Sequence, residues 1–463
     1  MKKAASIIML ALCLSAPAFA QDAPKSASLK ERFYATMIRR AAEKGNAGAQ
    51  INLGDRYVEG RGVGQDDTQA VHWYRKAADQ GNAEAQTDLG LMYEMGRGVA
   101  QDFAAAVALY RKAAEQDYDV AQTFLGYMYE KGRGVVVDEA VAAGWYRKAA
   151  ERGNVRAQTN LGLMYKEGRG VAKDDAKAVM WYRKAAEKGY ARAQNNLGNM
   201  YDEGRGVEQD DVQAVGWYRK AAELGDAAAA SNLGKGYEDG RGVPQDDKKA
   251  LAWYRKAATR GHAPGQYHLG LMYARGRGVE RDYAQAAAWY RKAAEQGDVD
   301  AQYSLGGMYW QGWGVAQDDA EAARWFRKAA DQGDAPAQAN LGTIYGNGRG
   351  VAKDDVQAAN WYRKAAEQEN AAGQYGLGVL YASGRGVTRD DAEAARWIRK
   401  AAEQGYALAQ LSLGDIYAKG KGVAQDSAQA VAWYRKAAQQ GNPDAQEALR
   451  KLEAAHPRSS KQP

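Results

Sequence analysis

The sequence predicts an all-α fold: an α/α superhelical solenoid of eleven helix-turn-helix repeats of 36 residues, with a capping helix at each end. Two observations predict it. The sequence matches itself at a shift of 36 residues from Ala49 to about Asp444, without insertion or deletion. Each unit also contains two stretches with apolar residues at helical spacing, separated by a glycine-rich turn. Self-similarity at a period of 20–50 residues is typical of solenoids, in which each unit packs only on its neighbours.

The first helix of a unit is clearest in the copy that begins at Ala157. Ala157, Leu161 and Tyr165 recur at i, i+4 and i+8, which marks the buried stripe of an amphipathic helix. Gly162 lies beside this stripe, although a glycine inside a helix costs about 1 kcal/mol relative to alanine. Because every unit has this glycine, we expect another helix backbone to approach closely there.

The turn and the second helix follow in the same copy. The two glycines of segment 168–171 (G-R-G-V) can adopt positive φ, and Val171 is expected to lie beneath the turn. Asp174 is then the predicted N-cap of the second helix, since a short side-chain oxygen can accept from the free N–H groups of the first turn. The buried stripe of this helix is predicted to be Ala178, Trp181, Tyr182 and Ala185.

These units resemble the Sel-1-like repeat family, a relative of the tetratricopeptide repeat. The motif that carries the resemblance is A-Q-x-x-L-G-x-x-Y-x-x-G-x-G-V, followed by Asp and then by A-x-x-W-Y-R-K-A-A-x-x-G, whose Trp is missing only at Leu109. The resemblance implies an α-solenoid that works mainly as a protein-interaction scaffold. The motif positions that are identical in all eleven units are those of Leu53, Gly54, Tyr57, Gly60, Gly62 and Val63.

The chain begins with a predicted signal peptide, residues 1–20. Lys2-Lys3 precede an apolar run, Ala4–Leu14, and Ala18–Ala20 form an A-x-A cleavage site. We expect cleavage after Ala20 and a periplasmic or secreted protein. The apolar run is too short to cross a bilayer, so we expect no membrane span.

The remaining chain divides into three predicted segments. Residues 21–48 form a leader and a capping helix, which Ser28 opens and which runs to about Lys44. Residues 49–444 are the eleven repeats, and residues 445–463 form a second capping helix with a polar tail. We expect one elongated domain and a monomer.

Residues that carry common catalytic or metal chemistry are scarce. Cys13, the single cysteine, lies within the predicted signal peptide, so the mature chain would lack thiolates. No nucleophile elbow, phosphate-binding loop or zinc-protease motif occurs. We therefore predict no catalytic residues, no metal site and no cofactor. The four histidines are His72, His262, His268 and His456.

The charge distribution argues against nucleic acid as the partner. The 64 Lys and Arg exceed the 57 Asp and Glu by seven, and loss of Lys2 and Lys3 with the signal peptide leaves an excess of five. An Arg-Lys pair recurs in the second helix of every unit, and Asp66 and its counterparts recur beside the turns. This is a ladder of mixed sign along the chain, whereas nucleic-acid binders gather basic residues on one face.

Asparagines recur at one groove position of the first helix. By resemblance to tetratricopeptide arrays, this helix face lines the concave groove of the solenoid. An asparagine ladder there can donate to and accept from an extended peptide backbone. The alternative is that these asparagines are neutral, solvated residues. They are Asn52, Asn160, Asn196, Asn232 and Asn340.

Aromatic departures from the repeat pattern form the second candidate site. The position before the asparagines is small or polar in most units but is Tyr267, Tyr303 and Tyr375 in three of them. The eighth unit has Trp313 in place of the usual turn arginine, with Trp310 shortly before it. Trp and Tyr dominate binding hot spots. The alternative is that both tryptophans fill a gap between units.

The sequence therefore predicts an exported bacterial scaffold that binds a protein or peptide in its concave groove without catalysis, in envelope assembly, regulation or host interaction. An alternative is an envelope enzyme or binder that acts on peptidoglycan or a β-lactam-like substrate. A third is carbohydrate binding through the aromatic residues.

Overall fold

The computed structural model describes residues 29–455, and these residues contain 24 helices and no strand. The predicted signal peptide, most of the leader and the polar tail with His456 lie outside the described residues. The helices are α1 (Leu29–Glu43), α2 (Ala47–Glu59), α3 (Asp67–Asp79), α4 (Ala83–Met95), α5 (Phe103–Glu115), α6 (Asp119–Lys131), α7 (Glu139–Glu151), α8 (Val155–Glu167), α9 (Asp175–Glu187), α10 (Ala191–Glu203), α11 (Asp211–Glu223), α12 (Ala227–Asp239), α13 (Asp247–Thr259), α14 (Ala263–Arg275), α15 (Tyr283–Glu295), α16 (Val299–Gln311), α17 (Asp319–Asp331), α18 (Ala335–Asn347), α19 (Asp355–Glu367), α20 (Ala371–Ser383), α21 (Asp391–Glu403), α22 (Ala407–Lys419), α23 (Ser427–Gln439) and α24 (Pro443–Ala455).

Helices α2 to α23 form eleven consecutive hairpins, each with a first helix of even number and a second helix of odd number. The chain divides at Asp226 into two compact units, Met1–Asp226 and Ala227–Pro463. Within each unit a helix packs on the helices that precede and follow it, and some neighbouring first helices also touch, as α18 does α20. The predicted all-α solenoid class is confirmed. No helix within residues 29–455 is long and apolar enough to cross a membrane.

The turn and cap of the fourth repeat form as predicted. Gly168 and Gly170 have φ of 73° and 63°, a region that side chains with a Cβ disfavour. Val171 is partly buried against the core beneath the turn. The Asp174 side chain then accepts a hydrogen bond from the backbone N–H of Lys177, which satisfies one of the free donors of α9.

The apolar stripes of both helices are buried together. Ala157 and Leu161 of α8 are fully buried and Tyr165 is nearly so. They belong to the same core as Trp181 and Tyr182 of α9. Each hairpin thus closes its two stripes on each other and on its neighbours, as the helical spacing predicts.

The glycine inside the first helix leaves room for an aromatic ring of the second helix as well as for its backbone. A Cβ on Gly162 would lie 2.7 Å from the ring of Tyr182 and 3.3 Å from the backbone oxygen of Ala178. The backbone of the second helix does approach closely, as expected, but the ring of Tyr182 in the same hairpin is the nearer group. The same ring lies over the glycine in the pairs Gly54–Tyr74, Gly90–Tyr110, Gly126–Tyr146, Gly198–Tyr218, Gly234–Tyr254, Gly270–Tyr290, Gly342–Tyr362 and Gly414–Tyr434.

The recurrent basic residues of the second helices hold neighbouring repeats together. Arg183 Nη2 donates to the hydroxyl of Tyr201 in the next repeat at 2.7 Å, and the Lys184 ammonium lies 4.4 Å from the ring centre of Trp181. In the turns, Arg205 Nη2 donates to Asp175 Oδ1 at 2.8 Å. Much of the mixed-sign ladder thus consists of local pairs and not of an open basic surface.

Candidate functional site

A groove of about 510 Å³ opens in the unit Ala227–Pro463, where the seventh, eighth and ninth repeats adjoin. Ring faces and small or neutral polar side chains form its walls, and no charged residue lines it. We call it the aromatic groove. Its lining residues are Ala274, Tyr283, Tyr290, Tyr303, Ser304, Gly307, Met308, Trp310, Gln311, Trp313, Phe326 and Asn340.

One wall of the aromatic groove replaces an ion pair that recurs elsewhere. In the turn before it, Arg277 Nη2 donates to Asp247 Oδ1 of the preceding repeat at 2.7 Å. At the equivalent positions Trp313 stacks on Tyr283, with ring centres 5.6 Å apart and planes 20° from parallel. The contact between the repeats is kept, but its chemistry changes from charged to aromatic.

The floor of the groove replaces a second polar network. In the sixth repeat, Glu238 accepts hydrogen bonds from the Tyr254 hydroxyl at 2.7 Å and from Arg277 Nη1 at 2.6 Å. In the eighth repeat the corresponding pair is Trp310 and Phe326, whose rings meet edge to face with centres 6.1 Å apart. Loss of both the carboxylate and the hydroxyl leaves an apolar floor at this point of the chain.

Two aromatic side chains of the groove remain accessible. Trp313 is 51% exposed and Tyr303 is 36% exposed, although Tyr303 also packs against Phe326 at 5.7 Å between ring centres. Ser304 and Asn340 add neutral hydrogen-bonding groups to the same lining. The site therefore offers large ring surfaces with nearby donors and acceptors, a composition suited to ligands that need both.

The structure brings together four of the ten residues predicted from the sequence. Tyr303, Trp310, Trp313 and Asn340 all line the aromatic groove. Both tryptophans also have packing partners, because Trp313 stacks on another ring and Trp310 packs on a ring and beneath a guanidinium. Packing and accessibility thus coexist at this site.

The other two predicted tyrosines lie outside the lining. Tyr267 packs against Tyr290, with ring centres 5.6 Å apart, and hydrogen-bonds Ser304. Tyr375 packs against Tyr406 at 5.4 Å, and its hydroxyl lies 3.4 Å from Ser412 Oγ. Both side chains are half-buried between repeats, so this position contributes to packing and also leaves part of the ring accessible to solvent.

The remaining predicted asparagines are distributed over both units. Asn52, Asn160 and Asn196 belong to Met1–Asp226, and Asn232 lies in α12. All four are half-buried, and Asn160 hydrogen-bonds the Tyr146 hydroxyl of the preceding repeat. Because the Asn160 side chain already forms this hydrogen bond within the protein, a bound peptide backbone would have to share the amide with Tyr146.

Three ring-bearing residues of the groove were missed by the sequence reasoning. Tyr283, Tyr290 and Phe326 are not among the residues predicted from the sequence. A signal was available for two of them, because Tyr283 stands where most repeats have an acid and Phe326 where most have tyrosine. Comparison of positions thirty residues apart would have paired Tyr283 with Trp313.

The histidines of the described residues have structural contacts. His262 caps α14, its Nδ1 accepting from Gly265 N at 3.1 Å. His268 stacks on Tyr254 at 4.9 Å, and burial lowers the pKa of its imidazole. Within residues 29–455 no three His, Cys, Asp or Glu side chains form a group that could hold a metal ion.

Comparison with known families assigns the repeats. The Sel1 repeat family model matches eleven consecutive segments that together cover more than half of the chain. The matched residues are 47–82, 83–118, 119–154, 155–190, 191–226, 227–262, 263–298, 299–334, 335–370, 371–406 and 407–442.

Among the solved structures that resemble the chain are two with the following similarities. One is c5321, a protective antigen present in uropathogenic Escherichia coli strains that displays an SLR fold, with 42% identity, a TM-score of 0.73, and coverage of 91% of this chain and 90% of that one. The other is a Sel1 repeat protein from Oxalobacter formigenes, with 35% identity, a TM-score of 0.51, and coverage of 72% and 99%. None of the curated proteins matches this chain.

Proposed function

We propose that this chain, which belongs to the Sel1 repeat family, is an exported bacterial scaffold that binds a protein or peptide partner in its aromatic groove without catalysis. Sel1 repeat proteins are generally protein-interaction scaffolds. The observation that carries the proposal is the groove itself, where Trp313 and Tyr303 stay exposed beside a cavity of about 510 Å³. Exposed Trp and Tyr in a well-formed depression are typical of binding hot spots.

The energetics of the groove favour a partner over bulk water. Its lining contains seven aromatic or methionine side chains and no charged residue. Hydration of such an apolar surface is unfavourable, so displacement of its water by a partner favours binding. In several other repeats the equivalent positions are occupied by ion pairs that are satisfied within the protein, such as Arg205 with Asp175. In the third repeat Arg133 lies over the ring of Phe103, and in the eighth repeat both positions carry rings.

Export is the second part of the proposal. The basic residues Lys2-Lys3, the apolar run Ala4–Leu14 and the small residues before Gln21 favour a cleaved signal peptide and a periplasmic or secreted protein. The similar structure from uropathogenic Escherichia coli is described as a protective antigen. An antigen that protects is encountered by the host, so host interaction is the setting we favour among envelope assembly, regulation and host contact.

Cleavage is tested by expressing the full chain in a bacterial host and sequencing the mature N-terminus. We expect a periplasmic or secreted protein that begins at Gln21. A cytoplasmic protein that retains Met1 to Ala20 would contradict export.

The binding claim is tested by capture. The mature chain is immobilised and exposed to an envelope extract and to host secretions, and bound proteins are identified by mass spectrometry. We expect Trp310→Ala with Trp313→Ala to lose the specific partner because the groove loses its two largest rings. The control is Val136→Ala with Val137→Ala, which removes exposed apolar groups from a turn in the compact unit Met1–Asp226, away from the groove.

Three outcomes would overturn the proposal. Capture retained by the tryptophan variant would show that the groove is not the site. Capture lost equally by the valine control would show non-specific adhesion. Turnover of a chromogenic β-lactam or of muropeptides by the mature protein would replace the scaffold with an envelope enzyme.

A further inference from the structure

We propose that the partner segment seated in the aromatic groove is an acidic peptide that inserts one uncharged, ring-bearing side chain, of Phe, Tyr, Trp or Pro, between the rings. This inference rests on the proposed function and names the chemistry of the partner. It follows from what already occupies the faces of the rings, from the charge at the rim, and from the neutral groups of the lining.

The rings do not form a cage for a cation, although clusters of aromatic faces often bind one. The guanidinium carbon of Arg349 already lies 4.2 Å from the ring centre of Trp310. That of Arg281 lies 5.4 Å from the ring centre of Tyr283. A lysine or arginine from a partner would compete for these ring faces and would be repelled by the guanidinium group of Arg281.

Arginines lie beside the rings of the groove. Arg349 is paired with Asp319 at 2.8 Å, but neither Arg275 nor Arg281 forms an ion pair within residues 29–455. Arg275 is exposed at the end of α14, and its charge acts on the nearby Tyr290 of the lining. Unpaired arginines beside an uncharged depression favour carboxylates on the segment that flanks an inserted side chain.

The interior of the groove suits a ring and a peptide backbone. The half-exposed indole of Trp313 offers a flat face for offset stacking, and Tyr303, which packs on the buried Phe326, offers a second exposed ring. Ser304 and Asn340 place neutral hydroxyl and amide groups in the same lining, which can donate to and accept from peptide groups. A charged anchor would lose its hydration there without gaining an ion pair.

The test uses defined octapeptides, acetylated and amidated to remove terminal charges, and the full mature chain. One peptide has a central Phe flanked by Asp and Glu, and matched peptides replace the flanks with Ser or Lys, or the Phe with Ala. Affinities are measured by calorimetry at low salt. We expect the acidic Phe peptide to bind about tenfold more tightly than the Ser-flanked one, and the Lys-flanked and Ala peptides to bind weakest.

Two protein variants locate the binding. Trp310→Ala with Trp313→Ala should reduce affinity for the acidic Phe peptide at least about tenfold. Arg275→Glu should reduce affinity for that peptide while improving relative binding of the Lys-flanked one, because it inverts the charge at the rim. Arg389→Glu, an equal charge change at an exposed site of the tenth repeat, should change neither.

The results separate failure of this inference from failure of the scaffold. Equal or tighter binding of the Lys-flanked peptide would overturn it. Tryptophan quenching by a neutral hexasaccharide, with no peptide binding, would overturn it in favour of a glycan. If no peptide binds but capture of a protein from extract still depends on Trp310 and Trp313, the scaffold stands and the acidic class is wrong.

Discussion

Buried glutamines show at the scale of single residues how the repeats satisfy their polar groups. In the eleventh repeat Gln410 Nε2 donates to Ala402 O at 3.2 Å, and Gln440 Nε2 donates to Gln410 Oε1 at 2.8 Å. The buried Oε1 atoms of Gln122, Gln158 and Gln194 have no such donor, and a buried acceptor without a partner costs about 1–3 kcal/mol. The residues thirty positions after these three are Arg152, Lys188 and Leu224, none of which is glutamine.

We predict that Leu224→Gln stabilises the protein. The new amide can donate to Gln194 Oε1, and Leu224 is 60% exposed, so little apolar burial is lost. The expected gain is about 1 kcal/mol in the free energy of unfolding, measured by chemical denaturation. Leu408→Gln is the control, because Leu408 is also exposed but does not follow a repeat glutamine at thirty residues. An equal gain there would show that removal of a surface leucine is the cause.

A partly buried carboxyl in the first repeat gives a second prediction at this scale. Burial raises the pKa of Asp55 to about 6, against the hydrogen bond that Tyr74 Oη donates to it at 2.8 Å. Burial and the nearby Asp55 and Glu84 also raise the pKa of Asp88. The folded state therefore holds Asp55 protonated over a range in which the unfolded chain has lost that proton.

The sign of the pH effect follows. Asp55 contributes stability that is fully present below its unfolded pKa, near 4, and that is lost as pH rises through about 6. Asp55→Asn should raise the thermal midpoint at neutral pH, by the equivalent of about 1–2 kcal/mol, and the two curves should converge below about pH 4. A constant difference across this pH range would contradict the assignment.

At the scale of the helical hairpin, the tyrosine over the glycine is the closest contact between paired helices. Gly162→Ala would gain helix propensity but would place a methyl group 2.7 Å from the Tyr182 ring. We expect a loss of about 1–3 kcal/mol, because overpacking exceeds the propensity gain. Gly216→Ala, in α11 with open space around the new Cβ, should instead gain about 0.5–1 kcal/mol. Chemical denaturation of both variants measures these changes in the free energy of unfolding. A higher stability of Gly162→Ala would contradict the packing account.

The hairpin was predictable from sequence except for what covers each face. The spacing of Ala157, Leu161 and Tyr165 identifies the buried stripe, and Asp174 identifies the start of the second helix, because both depend on local geometry. Periodicity does not say which side chain of another helix lies above Gly162. That depends on the packing of two helices, so the Tyr182 ring was not foreseen.

At the scale of the whole molecule, the candidate site was predictable where it departs from the repeat and not where it agrees. Trp310 and Trp313 stood out because the other repeats define their positions. Tyr290 did not, since it follows the repeat pattern and gains its role only from its neighbours. The groove is formed by residues of three adjoining repeats, and a comparison of one position at a time does not reveal which residues come together.

The central claim is that the eighth repeat exchanges an internal ion pair for a binding surface, and one double substitution tests it. Tyr283→Asp with Trp313→Arg restores the pair that Asp247 and Arg277 form one repeat earlier. Because packing between the repeats is kept, we expect the thermal midpoint to stay within a few degrees, about the effect of one partly exposed ion pair.

The measurement is partner capture by this variant and by the unaltered mature chain, with both thermal midpoints recorded. The account predicts a folded protein of unchanged stability that no longer captures its partner. Capture retained at full strength would contradict it, and a large fall in the midpoint would show that the stacked rings serve packing alone.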